Sequence, residues 1–133
     1  MASKTLVKKL DTVFSKFIRL RDSKQGAFQC VSCRKYKPYS QADAGHFVNR
    51  RFMALRWAEK NVHAQCRSCN RFSEGAGSEY TLFMIDTYGR EYVDYLNSYK
   101  NETVKYTDFE LEQLIKDYTK RVKDYENMGR PGI

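Results

Sequence analysis

The chain has 133 residues, a formal net charge of +8 and 41% hydrophobic residues, with a mean hydropathy of −0.73. That length supports one domain with a modest core. No apolar run approaches the ~18 residues of a membrane span, and residues 1–10 carry lysines without a continuous apolar stretch, so neither a membrane protein nor a secretory signal is expected.

Residues 4–21 read as an amphipathic helix. Leu6, Val7, Leu10, Val13, Phe14, Phe17 and Ile18 recur at helical spacing on one face, and Lys8, Lys9, Lys16 and Arg19 fill the others. The apolar stripe reads as core contact, and the lysines are placed to reach a polyanionic backbone. Residues 22–26 form a turn. Ala27 to Gln29 is a short strand entering Cys30-Val31-Ser32-Cys33, and residues 35–40, with Pro38, read as a loop. A strand is expected over 41–48 with a corner at Gly45-His46-Phe47. A second strand is expected over 54–57, before a turn at Glu59-Lys60-Asn61. Residues 62–65 lead into Cys66-Arg67-Ser68-Cys69, and Asn70 to Glu74 begins a short helix that Gly75-Ala76-Gly77 interrupts.

The remainder is helical. Ser78 can cap a helix to about residue 88 with Leu82, Phe83 and Ile85 inward. Gly89 separates it from a helix over 90–99. Thr107-Asp108-Phe109-Glu110 matches a capping box, and the helix it starts aligns Leu111, Leu114, Ile115, Tyr118, Val122 and Tyr125. Residues 128–133 should fray. The order gives a single α+β domain: an N-terminal helix (1–26), a cysteine-bearing core (27–76) and a helical extension (77–133).

The cysteines follow C-x2-C, thirty-two residues, C-x2-C. In a reducing compartment such pairs suit a metal better than disulfides, and bonds inside C-x2-C would constrain little chain. Four thiolates, from Cys30, Cys33, Cys66 and Cys69, complete a tetrahedral structural zinc site with no position open to substrate. The zinc is then a staple, not the catalyst. The spacer exceeds the ~15–20 residues of a compact ribbon, so something further is built between the pairs.

Charge is segregated. Residues 1–29 carry seven Lys/Arg against two acids, residues 30–71 nine against two, and residues 72–133 eight against twelve. The basic excess on the cysteine block and the helix before it points to a polyanion on one side of the molecule. Six of the nine cations in 30–71 are arginines, the residue that binds phosphate bidentately.

Between and beside the cysteine pairs stand Ala44-Gly45-His46-Phe47, Leu55-Arg56-Trp57, Asn61-Val62-His63-Ala64-Gln65 and Cys69-Asn70. These motifs resemble the His-Asn-His nucleases of the ββα-metal (His-Me finger) class and, more narrowly, the NinG (Rap) family of phage recombination proteins. The likeness covers roughly residues 28–99 and is densest in the cysteine block. It implies a ββα-metal core with four-cysteine zinc knuckles. It also implies a phage endonuclease, acting in the host cytoplasm, that cuts branched recombination intermediates such as Holliday junctions and D-loops. By the same resemblance Asn70 is a ligand of the catalytic Mg2+ or Mn2+, and Asn61 braces the loop that carries His46.

The chemistry is consistent on its own terms. Phosphodiester hydrolysis needs an activated water and a neutralised leaving oxygen. His46, with an ordinary pKa of ~6.5, can take the proton, and a hard divalent cation can stabilise the leaving group. One departure matters: many members of the class carry a metal-binding Asp before the histidine, where this chain has Gly45. For the second metal ligand Glu74, one helical turn after Asn70, is favoured over Asp43, on the same strand face as Gly45, and water and phosphate fill the shell if neither reaches the metal. Arg50, Arg51, Arg56, Lys60, Arg67 and Arg71 are expected at DNA, while His63 and Trp57 read as structural. Two cuts at a junction call for a homodimer, with the stripes at 6–18 or 111–125 as its seam. A nicking nuclease of linear duplex and a non-catalytic zinc module that only binds DNA are the alternatives, and Gly45 favours the latter.

Overall fold

The computed structural model describes residues 3–72 and 77–129. Helix α1 spans Lys4–Arg21. Ser3 caps it, with Oγ accepting from the Leu6 amide at 3.4 Å. Helix α4 spans Asp108–Asn127 and opens on the expected capping box: Thr107 Oγ1 accepts from the Glu110 amide, and Glu110 Oε1 accepts from the Thr107 amide. Leu10, Phe14, Phe17 and Ile18 of α1 pack against Leu111, Tyr118 and Val122 of α4 in one buried cluster with Trp57 and Val62. Each fully buried large apolar side chain contributes ~1.5–3 kcal/mol. The two stripes expected as a dimer seam therefore cover each other within one chain, because complementary apolar faces on the same polypeptide meet without an association cost.

Three short strands follow α1: β1 (Ser23–Lys24), β2 (Ala27–Gln29) and β3 (Tyr36–Pro38), antiparallel in that order. Gln25 at φ +54° and Gly26 at φ +77° make the two-residue turn between β1 and β2. Residues 35–40 are thus not simply a loop. Arg34 at φ +66° reverses the chain after the first cysteine pair, and the Cys30 amide donates to the Lys35 carbonyl at 2.9 Å. Pro38 ends β3 on the sheet edge, where its missing N–H is not needed.

Strand β4 (Ala42–His46) pairs antiparallel with β5 (Val62–Cys66), setting Gly45 opposite His63 and His46 opposite Val62. The strand expected over 54–57 does not form. A 3-10 turn at Met53–Leu55 takes its place, and the backbone there is held by side chains: Asn61 Nδ2 donates to the Leu55 carbonyl, and Asp11 accepts from Arg56 and Trp57. After β5 a helical turn of π type covers Ser68–Phe72. Glu74, and the rest of the helix expected over 70–74, lies outside the described residues, as do residues 130–133.

Helices α2 (Gly77–Tyr88) and α3 (Arg90–Tyr99) are separated by Gly89 at φ +89°. Ser78 lies inside α2, not at its cap. Tyr80 and Met84 are the buried residues of α2, packing with Val31, Val48, Leu55, Val93 and Leu96. Leu82, expected inward, is 62% exposed, since it stands about 200° around the helix from Tyr80. Among the described residues no helix is long and apolar enough to cross a membrane.

Candidate metal centre and active cleft

A third buried cluster surrounds the cysteines: Phe28, Cys30, Ala42, Ala64, Cys66 and Cys69, with Cys33 against it. The β2–β3 tip supplies the first pair, and the end of β5 with the turn after it supplies the second. The four Sγ atoms lie within 4.8 Å of one another, and Cys33 and Cys66 are 4.0 Å apart. A tetrahedron of ~2.3 Å Zn–S bonds has edges of roughly 3.8 Å, so the cluster can hold a metal such as zinc. Burial alone would raise the Cys30 thiol, but the backbone amides of Cys66, Cys33 and Ser32 outweigh it and hold it down to about 7. Burial and the neighbouring Cys30 push the Cys33 and Cys69 thiols up in turn, as crowding among four sulfurs does; a bound metal would hold them as thiolates.

His46 ends β4, and strand alternation sets it on the Ala44 face, toward α1. Asp11, Phe14, Ser15, Ala44, His46, Asn49, Arg50 and Asn70 line one cleft of about 420 Å³. The His46 ring contacts the Arg56 carbonyl through Nε2 at 2.9 Å. A carbonyl only accepts, so Nε2 carries the hydrogen and donates it, which leaves Nδ1 unprotonated in the neutral ring. Burial pulls the His46 pKa below its ordinary value. The Arg56 carbonyl and Asp11 oppose that, while the Arg50 and Arg56 guanidinium groups add to it. The ring is therefore neutral, a free base, at pH 7.

Asn61 is fully buried and does not line the cleft. Its Nδ2 donates to the Val48 and Leu55 carbonyls at 3.0 and 3.1 Å, and its Oδ1 accepts from the Val48 amide at 2.8 Å. It laces together the two ends of the loop that follows His46. Replacing Asn61 with Ala would leave the Val48 amide and carbonyl unpaired, each worth ~1–3 kcal/mol, and would take one of two donors from the Leu55 carbonyl, which keeps the Ala58 amide. We expect a loss of about 3 kcal/mol or more in urea unfolding of Asn61→Ala.

Asn70 lines the cleft with His46 and donates from Nδ2 to Asp43 Oδ2 at 3.0 Å. Arg71 also holds Asp43, donating from Nε and Nη2 at 2.9 and 3.0 Å. A cation taken by Asp43 would have to displace Arg71, whose side chain is half exposed. Arg50 lines the cleft. Arg56 is occupied: its Nε and Nη2 donate to Asp11, which also accepts from Trp57 Nε1. The Lys60 ammonium sits over the Tyr88 and Tyr92 rings at 5.5 and 5.2 Å, and Arg51 lies over Phe52. Arg67 is exposed. Sequence reasoning passed over Asp11. Its signal was a lone acid among the lysines of α1, and its partner is 45 residues away.

The Gly45 position is closed to a carboxylate. A Cβ there would fall 2.1 Å from Gln65 Oε1 and 3.0 Å from Gln65 Cβ. Gln65 is buried and donates from Nε2 to Ser32 Oγ at 2.8 Å, so it has little room to give way. Gly45→Ala is expected to lower stability by about 1–3 kcal/mol through overpacking, read as a shifted thermal midpoint. The Gly45 carbonyl accepts from Tyr80 OH at 2.7 Å. That takes Tyr80's only proton, so the Tyr80 oxygen accepts from His63 Nδ1–H at 3.2 Å, and His63 Nε2 accepts from Tyr88 OH at 2.7 Å. Burial, helped by Arg21, lowers His63 to about 4, so it is neutral as this chain requires. His63 supports the strand from behind and does not reach the cleft.

The family model described as "Bacteriophage Lambda NinG protein" matches residues 2–128. Over 122 residues the chain is 31% identical to "Protein ninG" of Escherichia phage lambda, aligning 91% of this chain with 57% of that protein. It is also 31% identical to "Protein ninG" of Escherichia phage 933W, over 91% of this chain and 58% of that one. With "Protein ninG" of Salmonella phage P22 it is 29% identical over 119 residues, covering 89% and 56%. The chain thus spans under three-fifths of the length of these curated relatives. No solved structure matches it at comparable significance.

Proposed function

The chain belongs to the NinG family, and from that premise we propose that it is a zinc-stapled, metal-dependent DNA endonuclease of the ββα-metal class that cuts branched recombination intermediates. The observation that carries the reading is the convergence of His46, Asn70 and Arg50 on one cleft. In this reading β4, β5 and the turn at 68–72 are the two strands and the helical start of the ββα unit. The cysteine cluster pins the far end of that unit.

The roles follow from the chain's own atoms. His46 Nδ1 takes a proton from water, because its Nε2–H is committed to the Arg56 carbonyl. Asn70, through Oδ1, and Asp43, which accepts from Asn70 Nδ2 at 3.0 Å, are the oxygen ligands offered to Mg2+ or Mn2+. When bound, that ion would neutralise charge on the leaving oxygen. Arg50 takes a phosphate in the cleft, and Arg51, Arg67 and Arg71 extend the DNA surface. Asn61 positions the loop and does not touch substrate. Two cuts at a junction call for two active copies, so we include a homodimer, assembled through a surface other than the internal stripes of α1 and α4.

The test is a magnesium-supplemented cleavage assay on duplex, single-stranded, flap and four-way-junction DNA. Cutting of branched substrates alone supports the proposal. Cutting of linear duplex at a fixed sequence would make it a nicking nuclease. Salt-dependent binding without cutting in any divalent metal would make it a zinc DNA-binding module, a reading the Asp43–Arg71 ion pair favours.

A further inference from the structure

We propose that α1 carries a second polyanion site, a groove continuous with the His46 cleft that holds the duplex backbone on one side of the scissile phosphate. The choice of DNA as occupant rests on the nuclease reading; the groove itself rests on geometry. Lys4, Lys8, Thr12, Ser15 and Arg19 recur at intervals of four, four, three and four residues, so they form one stripe of α1. With Arg50 they line a groove of about 680 Å³. Ser15 and Arg50 line the His46 cleft as well, so the two run into each other.

The charge in this groove is uncompensated. Its acid, Asp11, is neutralised by Arg56. Among the described residues no ion pair involves Lys4, Lys8, Arg19 or Arg50. Arg19 donates from Nε to the carbonyl and the Oγ of Ser15, which steadies the base of its guanidinium. Lys16, off the stripe, pairs with Glu126 instead.

Length selects the occupant. The fifteen steps from Lys4 to Arg19 rise about 22 Å along the helix. At ~3.4 Å per base pair, that matches about six base pairs of duplex. A row of cations with no aromatic ring among its lining residues suits phosphates rather than stacked bases. A strand cut in the cleft would therefore continue along α1 in one direction only.

The experiment compares wild type with a Lys4→Ala, Lys8→Ala, Arg19→Ala triple variant. A Lys116→Ala, Lys120→Ala, Lys123→Ala triple on α4 matches the charge removed. Fluorescence anisotropy with a labelled four-way junction, without added divalent ion, gives Kd across a salt series. At ~0.9 per phosphate contact, the α1 triple should lower the slope of log K against log salt by about 2–3 and weaken binding more than tenfold at 0.1 M salt. The α4 triple should change the slope by less than one. Trimming one duplex arm below about six base pairs should weaken wild type and not the α1 triple. Equal slopes for the two triples, an unchanged slope in the α1 triple, or no DNA binding by wild type would each overturn the groove. Cleavage with an unchanged α1 slope would leave the nuclease reading standing, and the expected slope loss without cleavage in any metal would leave only the groove. Thermal midpoints near wild type show that the triples are folded.

Discussion

Cys66→Ser should leave the chain unfolded, and the wild-type protein should carry one tightly held zinc ion. Both results are expected from one comparison of magnitudes. A structural zinc site provides ~10–16 kcal/mol of apparent binding energy, while a small domain has a total stability of ~5–15 kcal/mol. Here the cysteine cluster is also a core. Cys30, Cys66 and Cys69 are buried with Phe28, Ala42 and Ala64, and the two flanking sheets together contribute only five short strands. Cys66 is the last residue of β5, paired with Ala42, so its loss frees the β4–β5 hairpin from the knuckle below it. Elemental analysis of the purified chain should find about one zinc per polypeptide, and a strong chelator should abolish the cooperative unfolding transition followed by circular dichroism. Because thiol ligands bind as thiolates, acid should release the metal as well. A Cys66→Ser protein that melts within a few degrees of wild type would show that Phe28 and its neighbours hold the fold without metal.

What could be read from the sequence was local. The bounds of α1 and the start of α4 followed from apolar period and a capping box, both contained within one element. Gly89 marked the break between α2 and α3 because only its φ is needed there. The cysteine spacing announced the four-thiol cluster for the same reason. What could not be read depended on partners far along the chain. Residues 54–57 have strand-like composition, but Asn61 and Asp11 claim their carbonyl and side-chain partners and keep them turned. Strand β3 exists because Arg34 reverses the backbone, and no alternation of three residues could announce it. The contents of the cleft divide the same way. His46 and Asn70 stood out by motif. Asp11 and Ser15 enter only because α1 packs beside β4, a contact that no local pattern encodes.

His46→Ala should lower magnesium-dependent cutting of a junction by about 10²–10⁴-fold, the usual contribution of a general base, with Kd for DNA changed by no more than a few-fold. The stricter variant is His46→Gln. A glutamine amide can donate to the Arg56 carbonyl as Nε2–H does, so the loop stays tethered, yet it offers no base. Equal inactivity of the two variants assigns the loss to proton transfer and not to loosening of the 47–56 segment. The pH profile adds a sign. Burial pulls the His46 pKa below its ordinary ~6.5, and the neutral ring is the active form. Activity should therefore rise with pH through a midpoint below 6.5 in kcat/KM and level off above it. Asp11 opposes that depression, so Asp11→Asn should move the midpoint lower still, and it would also release Arg56. A midpoint above 6.5 that persists in His46→Gln would place the proton acceptor on another group, and the His46 cleft would then be a binding pocket alone.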